Sequence, residues 1–241
     1  MYAIIPASGA CGGFGPIGLN GGQVHAIVEG PLAAIVSDVP NERLRPERLH
    51  LAAHHAVLKS LMERGDLLPM AFGIIADGPE AVGRILAEDR EELLDQLARV
   101  GGNVEMTLRV VWDVPNLFEY FVHTHPELRE LRDRLFMSAR EPSEEEKIEL
   151  GRQFDRTFQG DRAAHTQAVR RILGPLCAEV RENNPRTERE VMNLACMVER
   201  AAQTRFEEGI FAAAALFDDN HSFDYSGPWP PYSFVDVFLK V

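Results

Sequence analysis

The histidines near residue 50 have a spacing that could support metal chemistry. His50 and His54 lie four residues apart in a stretch with helical periodicity, and two histidines one helical turn apart can bind zinc or nickel. A metal site also needs a third ligand, which nothing nearby supplies, and the glutamate of a HExxH motif is absent. We therefore predict no metal site. We expect one of these histidines to be hydrogen-bonded within the fold and the others to face solvent.

Two other patterns could serve phosphate binding or nucleophilic catalysis. The glycine-rich run at 12–18 follows a strand-like segment, but it lacks a Gly-Lys-Ser/Thr ending, contains Pro16 and precedes no helical pattern. Cys11 has no lysine nearby and no partner in the sequence that would activate a thiolate. The sequence therefore predicts no catalytic residue, no cofactor and no enzymatic activity.

Composition and charge exclude several classes of protein. The net charge is −12, from 37 acidic and 25 basic residues, whereas nucleic acid binding needs clustered lysine and arginine. No apolar run reaches the ~20 residues that span a bilayer, and the first residues lack the basic and apolar regions of a secretory signal. We expect a cytoplasmic protein that binds neither nucleic acid nor membrane, with its three cysteines reduced.

The order of strand and helix patterns along the sequence predicts an α+β fold of two domains, with a boundary near Gly101-Gly102. Residues 1–101 are expected to form an N-terminal α+β domain. Apolar runs bounded by turn residues predict its strands, and apolar residues at four-residue spacing predict its helices. The predicted strands are 2–6, 24–28, 32–37 and 67–70, and the predicted helices run from 46 to 65 and from 78 to 101. The strands at 24–28 and 32–37 are predicted to form a hairpin with its turn at 29–31.

Residues 102–241 are expected to form a C-terminal ferredoxin-like domain with a helical insertion at about 117–182. Strict alternation makes 103–113 the clearest strand, and Ser143 with Glu146 predicts a capped helix start. The other predicted elements are helices at 117–138, 143–158, 162–182 and 201–217, and strands at 191–198 and 233–239.

Two aromatic motifs suit the joining of surfaces better than bond-breaking chemistry. Leu67–Gly73 ends a strand on an aromatic residue and a glycine, and Gly227–Phe234 combines three prolines with large amphipathic side chains. In both motifs, packing within the protein's own core is the alternative. The residues predicted to contact a partner are Pro69, Phe72, Gly73, Gly227, Pro228, Trp229, Pro230, Pro231, Tyr232 and Phe234.

Five segments, in this order, resemble the gas vesicle accessory protein F/L family (GvpF/GvpL). The resemblance covers nearly the whole chain, and one departure is Ala71, where the family commonly has an arginine. The segments are Ile35–Pro40, His54 with Val57-Leu58, Leu68–Gly73, Asn103–Met106 through to Trp112-Asp113, and Gly227–Phe234.

The resemblance implies a cytoplasmic, non-enzymatic accessory protein of gas vesicle formation. Such a protein is expected to bind the major shell protein, other accessory proteins or both during assembly, and to be a possible minor component of the vesicle. It also implies two α+β domains, the second ferredoxin-like. Two alternatives from the residues stay open: a ferredoxin-like module that binds a small regulatory ligand, and an enzyme that uses Cys11 or a histidine.

Overall fold

The computed structural model describes residues 1–40, 44–137 and 140–237 of the chain. Within these ranges it contains two four-stranded sheets together with helices, which confirms the predicted α+β class. The described helices include none that is long and apolar enough to cross a membrane.

The chain divides into two compact units, each assembled from segments that are distant in sequence. The predicted domain boundary at residues 101 and 102 stays a prediction, and so does the ferredoxin-like form of the second domain. Unit 1 comprises Met1–Met106, Met197–Ala201 and the described part of Gly227–Val241, and unit 2 comprises Thr107–Cys196 and Ala202–Ser226.

The first sheet has the strand order β2-β3-β1-β4, and its strands pair antiparallel. Strands β2 and β3 form the predicted hairpin, whose turn includes Gly30 at a positive φ of 57°. The side chains from Leu32 to Ile35 are fully buried, so β3 forms the centre of the core of unit 1. The strands are β1 (Ala3–Pro6), β2 (Val24–Glu29), β3 (Leu32–Ser37) and β4 (Leu68–Pro69).

The described residues between 44 and 101 form three α-helices, where the sequence predicted two. The first, α1 (Arg48–Arg64), ends before Gly65 as predicted. The single helix predicted from 78 to 101 is wrong, because the chain forms α2 (Pro79–Glu88) and α3 (Arg90–Val100). Asp89 has φ −97° and ψ 16°, which ends α2 and starts α3. Apolar residues continue in helical spacing across this break, so periodicity alone did not reveal it.

The second sheet has the strand order β6-β7-β5-β8. In chain order, both sheets therefore place their second, third, first and fourth strands side by side. The strands predicted at 103–113 and 191–198 are confirmed as β5 and β7, and the helix predicted at 201–217 is confirmed with shorter bounds as α7. These elements are β5 (Asn103–Trp112), β6 (Glu179–Glu182), β7 (Glu190–Glu199), α7 (Gln203–Ala214) and β8 (His221–Trp229).

The helices between β5 and β6 differ from the prediction. Pro126 starts a new helix at its first position, so the helix predicted at 117–138 is divided into α4 (Leu117–Thr124) and α5 (Pro126–Phe136). The two helices predicted at 143–158 and 162–182 form one helix of 30 residues, α6 (Glu144–Leu173). The helix predicted beyond Leu173 is wrong, because Gly174–Leu176 form a 3-10 turn and Glu179–Glu182 form β6. Its predicted start is confirmed, because the Ser143 hydroxyl accepts from the backbone N–H of Glu146 in a capping box.

The strand predicted at 233–239 is wrong as far as it lies within the described residues. The last strand is β8, which ends at Trp229, and Tyr232–Phe234 form a short 3-10 turn. Positions 238 and 239 of that prediction lie outside the described residues. The strand continues through Gly227 and Pro228 because β8 is at the edge of its sheet, where a missing N–H donor is tolerated.

Candidate partner-binding surface

The motif Gly227–Phe234 begins with a backbone conformation that requires glycine. Gly227 has φ 138°, and its peptide bond to Pro228 is cis. A Cβ atom at this position would lie 2.6 Å from the Sδ atom of Met106 and 2.9 Å from the carbonyl oxygen of Glu105. The backbone of the motif thus passes directly against β5, and only a residue without a side chain fits there.

The end of the motif is held by a buried carboxylate and a buried aromatic ring. The two oxygens of Glu105 accept from the backbone N–H and the hydroxyl of Ser233, each at 2.8 Å. Glu105 is almost fully buried, and the side chain of Phe234 is completely buried. These contacts hold the segment after β8 against the rest of unit 1 through one polar and one apolar side chain.

Substituting Glu105 by glutamine should lower the free energy of unfolding by about 1 kcal/mol. The glutamine oxygen can accept from the backbone N–H of Ser233 and its NH2 group can donate to the hydroxyl, so two hydrogen bonds to a charged group become two neutral ones. Urea unfolding followed by tryptophan fluorescence measures the change. The matched control is Glu63→Gln at an exposed position of α1, which should stay within about 0.5 kcal/mol of the parent. Equal midpoints for the two variants would show that the Glu105 carboxylate does not hold this segment.

His54 joins the two predicted motifs. Its Nε2 atom lies 3.0 Å from the carbonyl oxygen of Met70 and 3.2 Å from the hydroxyl of Tyr232, and the Phe72 ring packs edge-on against the imidazole. The carbonyl requires a donor, so we assign the proton to Nε2. The expectation that one histidine of the group is hydrogen-bonded within the fold applies to His54, but the expectation that the others only face solvent is wrong for His50, which contacts Arg45 and Asn20.

Burial determines the charge state of this contact. His54 is 3% exposed, and loss of hydration lowers its pKa from 6.5 to about 4, so the imidazole is neutral at physiological pH. Burial likewise raises the pKa of Tyr232 from 10 to about 12. The pair is a neutral, buried structural contact, and its arrangement provides no general acid or base that is accessible to a substrate.

The residues predicted to contact a partner fall into three groups by exposure. The buried ones are Pro69, Pro230, Pro231 and Phe234. Phe72 and Tyr232 are half-buried against His54. The exposed ones are Gly73, Gly227, Pro228 and Trp229. Trp229 is the large side chain among them, at 45% exposure, so the described structure leaves one aromatic anchor for a partner at this place.

A cavity of about 560 Å³ lies beside this cluster in unit 1. Phe72, Gly73 and His54 line it, together with residues of β2, β3 and the segment that precedes α2. Sequence reasoning missed the cavity, because its walls come from segments that are separated by up to about 80 residues. A signal that could have pointed to it is the run Gly73-Ile74-Ile75, in which apolar residues follow a turn without helical or strand periodicity.

Comparison with known proteins identifies the family. The model of the family described as gas vesicle synthesis protein GvpL/GvpF matches residues 1–236. This chain belongs to the GvpL/GvpF family. Gas vesicle protein F of Streptomyces sp. (strain CB03234) is 33% identical over 224 residues, which are 92% of each chain. Gas vesicle protein L of Haloferax mediterranei is 24% identical and covers 90% of this chain and 72% of its own.

Solved GvpF structures share the fold of this GvpL/GvpF chain. The crystal structure of GvpF from Anabaena sp. PCC7120 covers 98% of this chain and 97% of its own, with a TM-score of 0.87 at 23% identity. GvpF from Microcystis aeruginosa covers 97% and 96%, with a TM-score of 0.82 at 24% identity. Membership of this family supports an accessory role in gas vesicle formation.

The candidate catalytic and metal residues of this GvpL/GvpF chain have other partners or face solvent. The ring nitrogens of His50 bind the carbonyl of Arg45 and the side chain of Asn20, and Cys11 is an exposed free thiol. Within 1–40, 44–137 and 140–237, no group of three or more histidine, cysteine, aspartate or glutamate side chains is placed to hold a metal ion.

Proposed function

We propose that this GvpL/GvpF protein is a non-enzymatic assembly factor that binds the major gas vesicle shell protein through a surface centred on Trp229. Other accessory proteins are its further partners, and it acts in the cytoplasm and at the forming vesicle. Its net charge of −12 disfavours nucleic acid as a partner. The small-ligand module raised by the sequence stays a prediction, and so does the ferredoxin-like form of the second domain.

The observation that carries this proposal is that Trp229 is exposed on a segment whose backbone is fixed on both sides. Gly227 and Pro228 precede it and fix the backbone against β5, while two buried prolines follow it. A tryptophan that is 45% exposed on such a segment loses little conformational entropy when a partner covers it. Exposed aromatic residues on a rigid backbone are the usual anchors of protein interfaces.

The physical need for such a surface follows from the shell protein that the family implies. A small subunit with a large apolar surface aggregates unless another protein covers that surface before assembly. A protein with a net negative charge stays in solution, and its copies repel one another. A complex of this protein with the subunit would therefore resist aggregation until the subunit is released.

The test is co-expression of the shell protein with this chain, followed by co-purification. Trp229→Ala should reduce the amount of co-purified shell protein about 30-fold, which corresponds to the ~2 kcal/mol of an interface anchor. The matched control is Phe211→Ala, which removes a side chain that is 64% exposed on α7 and should leave the yield unchanged. Circular dichroism checks that both variants fold.

The two ways in which this test can fail have different meanings. If the shell protein does not co-purify with the parent chain, direct binding to the shell is wrong and another accessory protein becomes the candidate partner. If it co-purifies equally with the parent and Trp229→Ala, the shell protein binds elsewhere and the surface centred on Trp229 is wrong.

A further inference from the structure

The cavity of unit 1 is lined by buried side chains and by half-exposed apolar ones. Tyr2, Val36 and His54 are buried at its floor, and half-exposed apolar side chains such as Ile27, Val39 and Ile75 form its walls. Its volume of about 560 Å³ lies within the ~300–1,000 Å³ of typical ligand sites. The proposed contact through Trp229 does not involve this cavity.

The polar groups of the floor are already paired within the protein. The Tyr2 hydroxyl is 2.6 Å from the hydroxyl of Ser37 and accepts from the backbone N–H of Leu19 at 3.0 Å. His54 donates to the carbonyl of Met70, and its pKa of about 4 keeps it uncharged. Sites for small polar ligands orient the ligand by several unpaired polar groups, so this floor suits apolar side chains instead.

The margin of the cavity carries negative charge. Asp38 and Asp77 line it and are exposed, and among the described lining residues there is no lysine or arginine. The α-amino group of Met1 also lines the cavity, but it donates to the carbonyl of Ile74 at 2.9 Å, and burial lowers its pKa to about 6. An occupant with an apolar body and a cationic group at its edge would complement this arrangement, whereas an anionic occupant would be repelled.

We propose that this cavity binds a short segment of a gas vesicle protein that inserts apolar side chains next to a lysine or arginine. This inference rests on the proposed function, because it assigns a second contact to the same partner class. The segment places its apolar side chains against Ile27 and Ile75, and its cation lies near Asp38. Two separate contacts, at Trp229 and at this cavity, would hold one partner more tightly than either alone.

A pair of peptides tests the proposal directly. Two fluorescein-labelled peptides, capped at both ends, share the sequence Leu-Ile-X-Leu-Phe, in which X is lysine in one and glutamate in the other. Fluorescence anisotropy with the full-length protein should show at least about 10-fold tighter binding of the lysine peptide, and this preference should weaken as the salt concentration rises.

Variants locate the binding. Asp38→Asn should reduce the preference for lysine at least about threefold, while Asp95→Asn, an exposed position of α3 outside the cavity, should preserve it. Ile75→Arg should weaken the lysine peptide at least about 10-fold, because it removes an apolar contact and puts a like charge beside the lysine. Equal affinities of the two peptides for the parent, or unchanged binding to Ile75→Arg, would overturn the proposal.

The failure of this inference can be separated from failure of the proposed function. If the shell protein co-purifies equally with the parent and Ile75→Arg, the cavity assignment is wrong and the surface centred on Trp229 keeps its support. If the shell protein co-purifies with neither but the lysine peptide binds with the expected preference, the cavity assignment holds and the shell protein is the wrong partner.

Discussion

Replacing Gly227 by alanine should lower the free energy of unfolding by at least about 3 kcal/mol. Two costs combine. At φ 138° a residue with a side chain is strained, which costs about 1–3 kcal/mol. The added Cβ would also lie 2.9 Å from the carbonyl oxygen of Glu105 and 2.6 Å from the Sδ atom of Met106. The Met106 side chain can move, but the carbonyl belongs to the backbone of β5 and cannot move without disturbing the strand.

Urea unfolding followed by the fluorescence of the two tryptophans measures this loss. The control is Gly151→Ala in the interior of α6, where an added Cβ meets nothing within 4 Å and alanine should stabilise the helix by up to about 1 kcal/mol. A Gly227→Ala protein as stable as the parent would show that the motif does not need this backbone conformation. The same variant should bind less shell protein, because it disturbs the segment that holds Trp229.

The sequence predicted the elements whose signals are local. The hairpin of β2 and β3, the start of α6 at Ser143 and the strand β5 each depend on residues within a few positions of one another. Alternation, turn glycines and capping boxes report such elements directly. The α+β class follows from them, because the mixture of strand and helix patterns requires sheets covered by helices.

Other elements were predicted wrongly because a glycine or proline indicated a break that the rest of the helix or the position in the sheet tolerates. Gly160 lies between the two helices predicted at 143–158 and 162–182, but a single glycine costs only about 1 kcal/mol, which the remaining 29 residues of α6 offset. Pro228 suggested that the last strand begins after the proline run. At the edge of a sheet the missing donor has little cost, so β8 runs through Pro228 to Trp229.

The candidate site was predictable in position but not in exposure. Aromatic and proline residues in fixed order indicated both motifs, yet His54 and Tyr232 are 178 residues apart and nothing local shows that they meet. That contact turns Tyr232 inward and leaves Trp229 exposed. The partition of a motif between core and surface depends on tertiary packing, and periodicity does not report it here, because the motif leaves strand β8 after Trp229 and continues as a 3-10 turn.

Acidification should destabilise this protein through His54. Its pKa is about 4 in the folded state and 6.5 without burial, so between these values the unfolded state binds the extra proton. The contribution of His54 is therefore fully present above pH 6.5 and is lost as the pH falls towards 4. A difference of about 2.5 pKa units corresponds to about 3 kcal/mol.

The measurement is the free energy of unfolding of the parent and of His54→Gln between pH 7.5 and 4. Glutamine keeps a donor for the carbonyl of Met70 but does not titrate, so the advantage of the parent over the variant should shrink by about 3 kcal/mol across this range. Tyr232→Phe removes the second contact of Nε2 and keeps the buried histidine, so it should retain the steep dependence of the parent. If the parent and His54→Gln lose stability in parallel, His54 is not the buried neutral group that joins the two motifs, and other titrating groups cause the loss in acid.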